Sequence, residues 1–173
     1  MAWQKRSFKK KGDSKRPRKP KKNPEEATLL DVEVKAMHLL SMRDHSVAEL
    51  TKKLTQRKYP QAHIDATIDR MMELNYLDDE RVCMNMTRML IRQSWGPYQV
   101  RNKLKLKGFR ERHIDASLEE LLEEDTWFEH ASDRVRSKFR KEPEEMDRDE
   151  KQKAFRHLQY RGYGGDIIRR ILF

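Results

Sequence analysis

An all-α fold is expected for this chain: three tandem three-helix repeats form an elongated, curved array, preceded by a disordered basic N-terminal tail. Helix-favouring residues (Leu, Met, Glu, Lys, Arg and Gln) dominate the 173 residues, and only six Gly and six Pro occur. The tetrapeptide HIDA appears at residues 63–66 and again at 113–116, and the apolar residues around it recur at the same offset. A charged fraction of 39% against an apolar fraction of 36% suits a thin repeat array better than a compact globule.

The N-terminal residues carry the whole net charge of the chain. Residues 1–22 hold eleven Lys and Arg and one acid, Asp13, which equals the formal net charge of +10. With Pro17, Pro20 and few apolar residues, such a segment cannot bury enough surface to fold, so residues 1–23 are predicted to be a disordered tail. Two roles remain open for it: holding polyanions by counterion release, or keeping the protein soluble with weak, unspecific affinity for nucleic acid.

The first repeat, residues 24–77, is expected to contain helices at 24–42, 47–57 and 60–74. Ser46 and Glu49 have the spacing of a capping box at the start of the second helix. Pro60 suits the first turn of the third helix, and Asn75 suits the left-handed residue that ends it. The apolar stripe of the third helix consists of Ile64, Ile68, Met71 and Met72.

The second repeat, residues 78–124, follows at an offset of 50, with helices predicted at 78–93, 97–107 and 111–124. Asp78 is placed to cap its first helix, and Gly108 to end its second. The matching apolar pairs are Leu50 with Val100, Leu54 with Leu104, Ile64 with Ile114, and Ile68 with Leu118. HIDA therefore opens the third helix of a repeat, with its Ile pointing inward.

The third repeat, residues 125–173, follows at an offset of 54, with helices predicted at 126–141, 147–161 and 165–172. Its matches to the second repeat are Leu158 with Leu104, Gly162 with Gly108, Ile168 with Ile114, and Leu172 with Leu118. Pro143 interrupts the chain, and Asp147 with Glu150 begins the next helix. Because each repeat buries little alone, the three are expected to share one cooperative core.

Catalytic chemistry is not expected. The sequence has no Gly-rich phosphate loop, HExxH motif or nucleophile elbow, so no enzymatic activity, cofactor or metal site is predicted. Cys83 lies among apolar residues and is interpreted as a buried thiol, and His63 and His113 as structural residues near helix starts. Without an apolar run that could span a bilayer or a signal segment, a cytoplasmic protein with no membrane partner is predicted.

Binding is better supported than catalysis, because charge is polarised along the second repeat. Residues 81–113 carry nine Lys and Arg against Glu111, whereas residues 114–133 carry eight acids and no Lys or Arg. A basic surface edged by aromatic rings suits the phosphate backbone of DNA. The candidate residues are Arg92, Trp95, Arg101, Lys103, Lys105, Lys107, Arg110 and Arg112.

Each charged segment has a second interpretation. The lysines of helix 97–107 could instead form a solvated face paired with the acidic helix 111–124. The acids of 114–133 are expected to pack against the basic helix 126–141, and the alternative is that they face a basic partner protein.

Three stretches resemble the RecX family, bacterial regulators of the RecA recombinase: RDHSVAELTKKL, YLDDERVCMNMTRMLIRQSWGPYQVRNKLKLKGF and FRHLQYRGYGGDIIRRIL. The resemblance covers residues 35–173. It implies three tandem three-helix repeats and a non-catalytic protein that binds the RecA filament on DNA. Such a protein lies in the helical groove of the filament and lowers its ATPase, strand-exchange and repressor-cleaving activities. The surface residues that the resemblance carries over are Arg92, Trp95, Arg101, Lys103, Lys105 and Lys107.

A monomer is expected, and the long basic tail departs from the family pattern. Two other functions compete with filament binding. Three-helix units can present a recognition helix, so a plain DNA-binding regulator is one of them. The lysine-rich helix 97–107 offers few groups for reading base edges, which argues against it. An RNA-binding accessory protein is the other, although the body has no aromatic strand of the kind that binds RNA.

Overall fold

Nine α-helices and two short 3-10 helices make up residues 23–121 and 124–173, the part of the chain that this computed structural model describes. The first unit contains α1 (Leu29–Met42), α2 (Val47–Thr55) and α3 (Gln61–Glu73). The second contains α4 (Asp79–Arg92), α5 (Pro97–Leu106) and α6 (Glu111–Leu121). The third contains α7 (Glu124–Phe139), α8 (Arg148–Arg161) and α9 (Gly165–Leu172). The predicted basic tail lies outside the described residues, apart from Asn23.

The first helix is shorter than predicted. Residues 24–26 form a 3-10 turn, and α1 begins at Leu29 rather than at residue 24. Thr28 and Asp31 cause this start, because the Thr28 backbone N–H donates to the Asp31 carboxylate at 3.0 Å and the Asp31 N–H donates to Thr28 Oγ1 at 3.3 Å. The sequence prediction overlooked this capping box.

Most of the other predicted helix ends are confirmed. Asp78 accepts a hydrogen bond from the Arg81 N–H at 3.0 Å, and Asp147 forms a reciprocal capping box with Glu150. Asn75 and Gly162 end their helices in the left-handed conformation, with φ of 56° and 85°.

The capping box at Ser46 and Glu49 is only half formed. Ser46 Oγ accepts from the Glu49 N–H at 3.1 Å, as predicted. The Glu49 carboxylate, however, accepts two hydrogen bonds from Arg43, at 2.5 and 3.0 Å. A guanidinium gives the carboxylate two charge-assisted hydrogen bonds where the backbone N–H gives one, so the side chain turns away from the helix start.

The repeat predicts the buried positions well. Leu50, Leu54, Val100, Leu104 and Leu158 are fully buried. Ile64, Ile114 and Ile168, which lie at the same position of the third helix in each unit, are also fully buried. Met72 corrects the pattern: 48% of it is exposed, and Thr67 takes a buried place on α3.

The expectation of one core shared by all three units is wrong for the first unit. Residues of the second and third units form one continuous hydrophobic cluster, from Val82 to Leu172. The first unit has a separate cluster, from Ala27 to Leu77. Polar contacts join the first and second units, and include a hydrogen bond of 2.8 Å from the Val47 N–H to Asp79.

The second helices of the three units lie end to end. At the junction of the second and third units, the Gly96 N–H donates to the Arg161 carbonyl at 2.8 Å and the Tyr98 N–H donates to the Gly162 carbonyl at 3.1 Å. The free N–H groups at the start of α5 are thus satisfied by the carbonyls at the end of α8. The positive end of one helix dipole meets the negative end of the next, which is favourable.

The same arrangement recurs between the first and second units. Ser46, at the start of α2, donates its hydroxyl to the Lys107 carbonyl at the end of α5, at 2.5 Å. A Cβ added to Gly108 would collide with Ala48, so the two helix ends are in close contact. The helices α8, α5 and α2 are therefore joined end to end, an arrangement called here the column.

Candidate functional site

The column positions the predicted binding residues, because four of the eight lie on α5 or at its end. Val100 and Leu104 face the core and leave the lysine and arginine side chains of α5 outside. Arg101 contacts Glu111 at 3.0 Å and Asp115 at 2.6 Å, and Lys105 contacts Glu111 at 2.5 Å.

This network joins α5 to α6, as the second interpretation of the basic helix required. Hydrogen bonding to Asp115 raises the pKa of Arg101, and hydrogen bonding to Lys105 lowers the pKa of Glu111. All the partners are substantially exposed, so the pairs contribute little to stability. Arg101 and Lys105 are the predicted cations whose charge is most compensated within the protein.

Lys103 and Trp95 meet at the junction of the second and third units. The Lys103 ammonium lies 4.0 Å from the centre of the Trp95 ring, and the Arg161 guanidinium lies 4.4 Å from it. Tyr160 packs against the same indole with ring centres 6.4 Å apart. The prediction of a basic surface edged by aromatic rings overlooked Arg161 and Tyr160. Aligning the third repeat with the second at Gly162 and Gly108 could have identified this region, because the alignment places Arg161 at the position of Lys107.

Lys107 reaches the first unit. Its ammonium lies 3.5 Å from Glu49, whose carboxylate also binds Arg43 and lies 3.2 Å from the buried His45. The hydrogen bond from Arg43 is the main cause that lowers the pKa of Glu49 to about 2. Burial lowers the pKa of His45. Lys107 therefore links two units.

Arg92, Arg110 and Arg112 are exposed. Among the residues that the structure describes, no carboxylate lies within 4 Å of any of the three. Arg112 donates a hydrogen bond from Nε to His113 Nε2 at 3.1 Å. Together with Lys103, these three arginines are the predicted cations best placed to meet an external anion.

The acids of α6 turn towards other helices than expected. Asp115 contacts Arg101 on α5, and Glu120 contacts Arg88 on α4 at 3.6 Å. Among the described side chains, α6 therefore pairs with α4 and α5 rather than with the basic helix α7. The cause is topological: the short turn between α5 and α6 places α6 beside the basic residues that immediately precede it.

The prediction of a buried thiol at Cys83 is confirmed, and the two recurring histidines lie near helix starts as predicted. Cys83 is fully buried with its thiol 3.5 Å from the His113 carbonyl, and burial raises its pKa. His63 lies near the start of α3 with Nδ1 3.0 Å from the Ala27 carbonyl. His113 occupies the same place in α6.

Comparisons with known proteins give the family. A profile of the RecX first three-helix domain matches residues 34–71, and one of the RecX third three-helix domain matches residues 124–172. The "Regulatory protein RecX" of Vibrio campbellii is 38% identical over 143 residues, which cover 83% of this chain and 90% of that protein. The chain belongs to the RecX family. The RecX protein of Pseudomonas fluorescens strain Pf-5 is 36% identical over 84% of this chain and 92% of its own length.

Solved RecX structures share the fold. The crystal structure of RecX from Lactobacillus salivarius superposes with a TM-score of 0.73 at 19% identity, covering 83% of this chain and 94% of that one. Another, titled "Crystal structure of regulatory protein RecX", gives a TM-score of 0.68 at 22% identity, covering 83% of this chain and 72% of that one. The chain is thus a RecX-family regulatory protein with the fold of a helical repeat array. None of its described helices is long and apolar enough to cross a membrane.

Proposed function

We propose that this RecX-family protein binds the RecA–DNA filament and limits ATP hydrolysis, strand exchange and repressor cleavage by the recombinase, without being an enzyme itself. Family membership over 83% of the chain is the observation that carries the proposal. The protein acts as a monomer in the cytoplasm. Its units are the tail 1–23 and the repeats 24–77, 78–124 and 125–173.

The shape of the fold supports a binding role. The helices α8, α5 and α2 of the column together contain about 50 Å of helix, at a rise of about 1.5 Å per residue. A long, narrow array of this kind offers an extended surface, which suits the groove of a helical filament better than a small-molecule substrate.

The exposed cations of the middle unit support contact with an anionic surface. Lys103, Arg92, Arg110 and Arg112 have no described carboxylate within 4 Å, so binding a phosphate does not require an internal pair to break. Lys and Arg contacts to the phosphate backbone carry no sequence information, which fits a protein that follows a filament along any DNA sequence.

Parallel binding measurements test the proposal. The protein is titrated into single-stranded DNA, duplex DNA and an assembled RecA–DNA filament at the same salt concentration. We expect clear preference for the filament and a falling rate of DNA-dependent ATP hydrolysis. A preference for one duplex sequence over the filament would instead identify a sequence-specific DNA-binding regulator.

A pair of charge reversals tests the surface. Arg110→Glu with Arg112→Glu, in protein lacking residues 1–22, is expected to raise the concentration for half-inhibition of the ATPase by roughly tenfold, the equivalent of about 1.4 kcal/mol. The melting temperature is expected to stay nearly constant, because both side chains are exposed. Lys58→Glu with Arg70→Glu is the matched control, since it changes the net charge equally on the first unit. Equal inhibition by both variants would exclude this surface.

A further inference from the structure

Four cations and one histidine from three helices gather where the second and third units meet. They are Lys103 of α5, Arg134 and Lys138 of α7, and His157 and Arg161 of α8, called here the junction cluster. In the described part of the chain, no carboxylate lies within 4 Å of any of them. Nearby cations of the third unit do have such partners: Arg136 contacts Glu142 at 2.8 Å, and Lys141 contacts Glu150 at 2.7 Å.

Neutral groups hold the two arginines of the junction cluster in place. Arg161 donates from Nη1 to the Gln93 carbonyl at 2.9 Å and lies over the Trp95 ring. Arg134 donates from Nε to His157 Nε2 at 3.2 Å. Each guanidinium has five N–H donors, so both keep donors for a ligand while their positions are fixed.

The cations of the junction cluster destabilise one another. Partial burial, followed by the charges of Lys138, Arg134 and Arg161, lowers the pKa of His157 to about 4. Burial and the charge of Arg134 also lower the pKa of Arg161. An anion bound among them would relieve this repulsion, and the chain supplies no described carboxylate to do so.

We propose that the junction cluster binds a phosphate group of a single-stranded nucleic acid. Fork-shaped guanidinium donors match phosphate oxygens, and aromatic rings beside them provide surfaces on which bases stack. Tyr160 is 71% exposed and packs against Trp95, so its ring is available beside the cations. An acidic protein segment would use the cations but has no need of the exposed ring.

The site goes beyond the proposed contact with the filament, because three of its four cations, Arg134, Lys138 and Arg161, belong to the third unit and were not among the predicted binding residues. Nucleic-acid binding here can be measured without the recombinase. A failure of this site therefore leaves filament binding untouched, and a failure of filament binding leaves this site testable.

Binding at this site is coupled to protonation of His157. The charged groups that face its ring are Arg134 and Lys138 from α7 and Arg161 from its own helix, and Phe139 packs against it at 6.5 Å. A phosphate among these cations raises the pKa of His157 towards its ordinary value of about 6.5. Affinity for the nucleic acid therefore increases as the pH falls through the pKa of the bound state, and levels off below the pKa of the free state.

The first experiment follows His157 in the full chain by nuclear magnetic resonance, with His157→Gln identifying its ring signals. The probe is an eight-nucleotide oligothymidylate. We expect the pKa of His157 to rise by at least one unit when the oligonucleotide is saturating. An unchanged pKa at saturation would overturn the proposal. A rise produced by inorganic phosphate but not by the oligonucleotide would overturn the assignment to nucleic acid, and an equal rise with a deca-glutamate peptide would overturn the assignment to phosphate.

The second experiment measures the affinity of the fluorescein-labelled oligonucleotide by anisotropy across a range of salt concentrations. Loss of one phosphate contact lowers the slope of log K against log salt by about 0.7 for a single strand. We expect this loss for Arg134→Gln and for the exposed Lys138→Gln, whereas Arg161→Lys keeps the slope. Arg136→Gln is the matched control, because it removes a cation of the same helix that already has carboxylate partners. Equal slopes for Lys138→Gln, which has no internal contact to lose, and for this control would overturn the proposal.

Discussion

The junction between α5 and α8 leaves no room for a side chain at Gly96. A Cβ added to Gly96 would lie 2.5 Å from the Gly162 carbonyl carbon and 2.6 Å from the Tyr163 backbone nitrogen. Both are backbone atoms, so the clash cannot be relieved by rotating a side chain. Gly96→Ala is therefore expected to force the ends of α5 and α8 apart.

The cost of this separation follows from two contributions. Overpacking a tight contact costs about 1–3 kcal/mol. The two hydrogen bonds across the junction, from the N–H groups of Gly96 and Tyr98, are worth about 1 kcal/mol each when they are lost or lengthened. Gly96 has a φ of −77°, which alanine adopts freely, so backbone strain adds nothing. The free energy of unfolding is expected to fall by about 3–5 kcal/mol.

Urea unfolding followed by circular dichroism measures this loss. Gly165→Ala is the control: it makes the same substitution at the first residue of α9, where the new Cβ would meet only the Arg169 guanidinium, at 3.4 Å. There, alanine is expected to be neutral or to stabilise by up to about 1 kcal/mol, because it favours the helix. A loss below about 0.5 kcal/mol for Gly96→Ala would refute the end-to-end contact.

Three further outcomes are expected. Leu104→Ala should lower the free energy of unfolding by about 2–5 kcal/mol in the same urea assay, because the side chain is fully buried; a loss below about 0.5 kcal/mol would contradict this. The lowered pKa of Glu49 stabilises the fold above its ordinary pKa of 4.5, and that stability is lost as the pH falls towards 2. Glu49→Gln should therefore reduce the change in the free energy of unfolding across this pH window by roughly 1–2 kcal/mol, after allowance for solvent screening; an unchanged pH profile would contradict it. Deleting residues 1–22 should reduce the salt dependence of DNA binding while the circular dichroism of the helices stays constant; a large loss of helix would contradict it.

Local features of the sequence predicted the helices and many of their ends. Helix ends depend on residues that lie close by in the sequence, such as Asp78, Asn75 and Gly162. Their capping roles can therefore be predicted without knowing the tertiary structure. The buried positions were predictable for a related reason: the recurrence of Leu54 at Leu104 and Leu158 identifies an inner face that each unit must bury.

The end-to-end column could not be predicted in the same way. Gly96 precedes Pro97 and has the pattern of an ordinary loop, and only the tertiary structure brings it against Gly162. The partners of the charged residues could not be predicted either. From composition alone, Arg101 could contact either a ligand or the acids of α6. In the structure, the turn between α5 and α6 brings Arg101 into contact with Glu111 and Asp115.

The junction cluster was overlooked because its members come from helices far apart in the sequence. Arg134 and His157 are separated by the whole turn between α7 and α8, and each of the two helices also carries acids. Net charge counted along a segment averages such residues with the acids beside them. Only their convergence in space shows that the acids face elsewhere.

The two junctions of the column differ in what holds them, and this difference matters for binding. Between the first and second units, whose apolar clusters are separate, there are polar contacts through Ser46, Asp79, Glu49 and Lys107. Exposed polar contacts contribute little each, whereas the second and third units bury one continuous apolar cluster. The second and third units therefore hold their relative positions more firmly than the first unit holds to them. Arginines and lysines that must meet phosphates at fixed spacing are best carried by such a rigid pair, and both the proposed filament surface and the junction cluster lie on it.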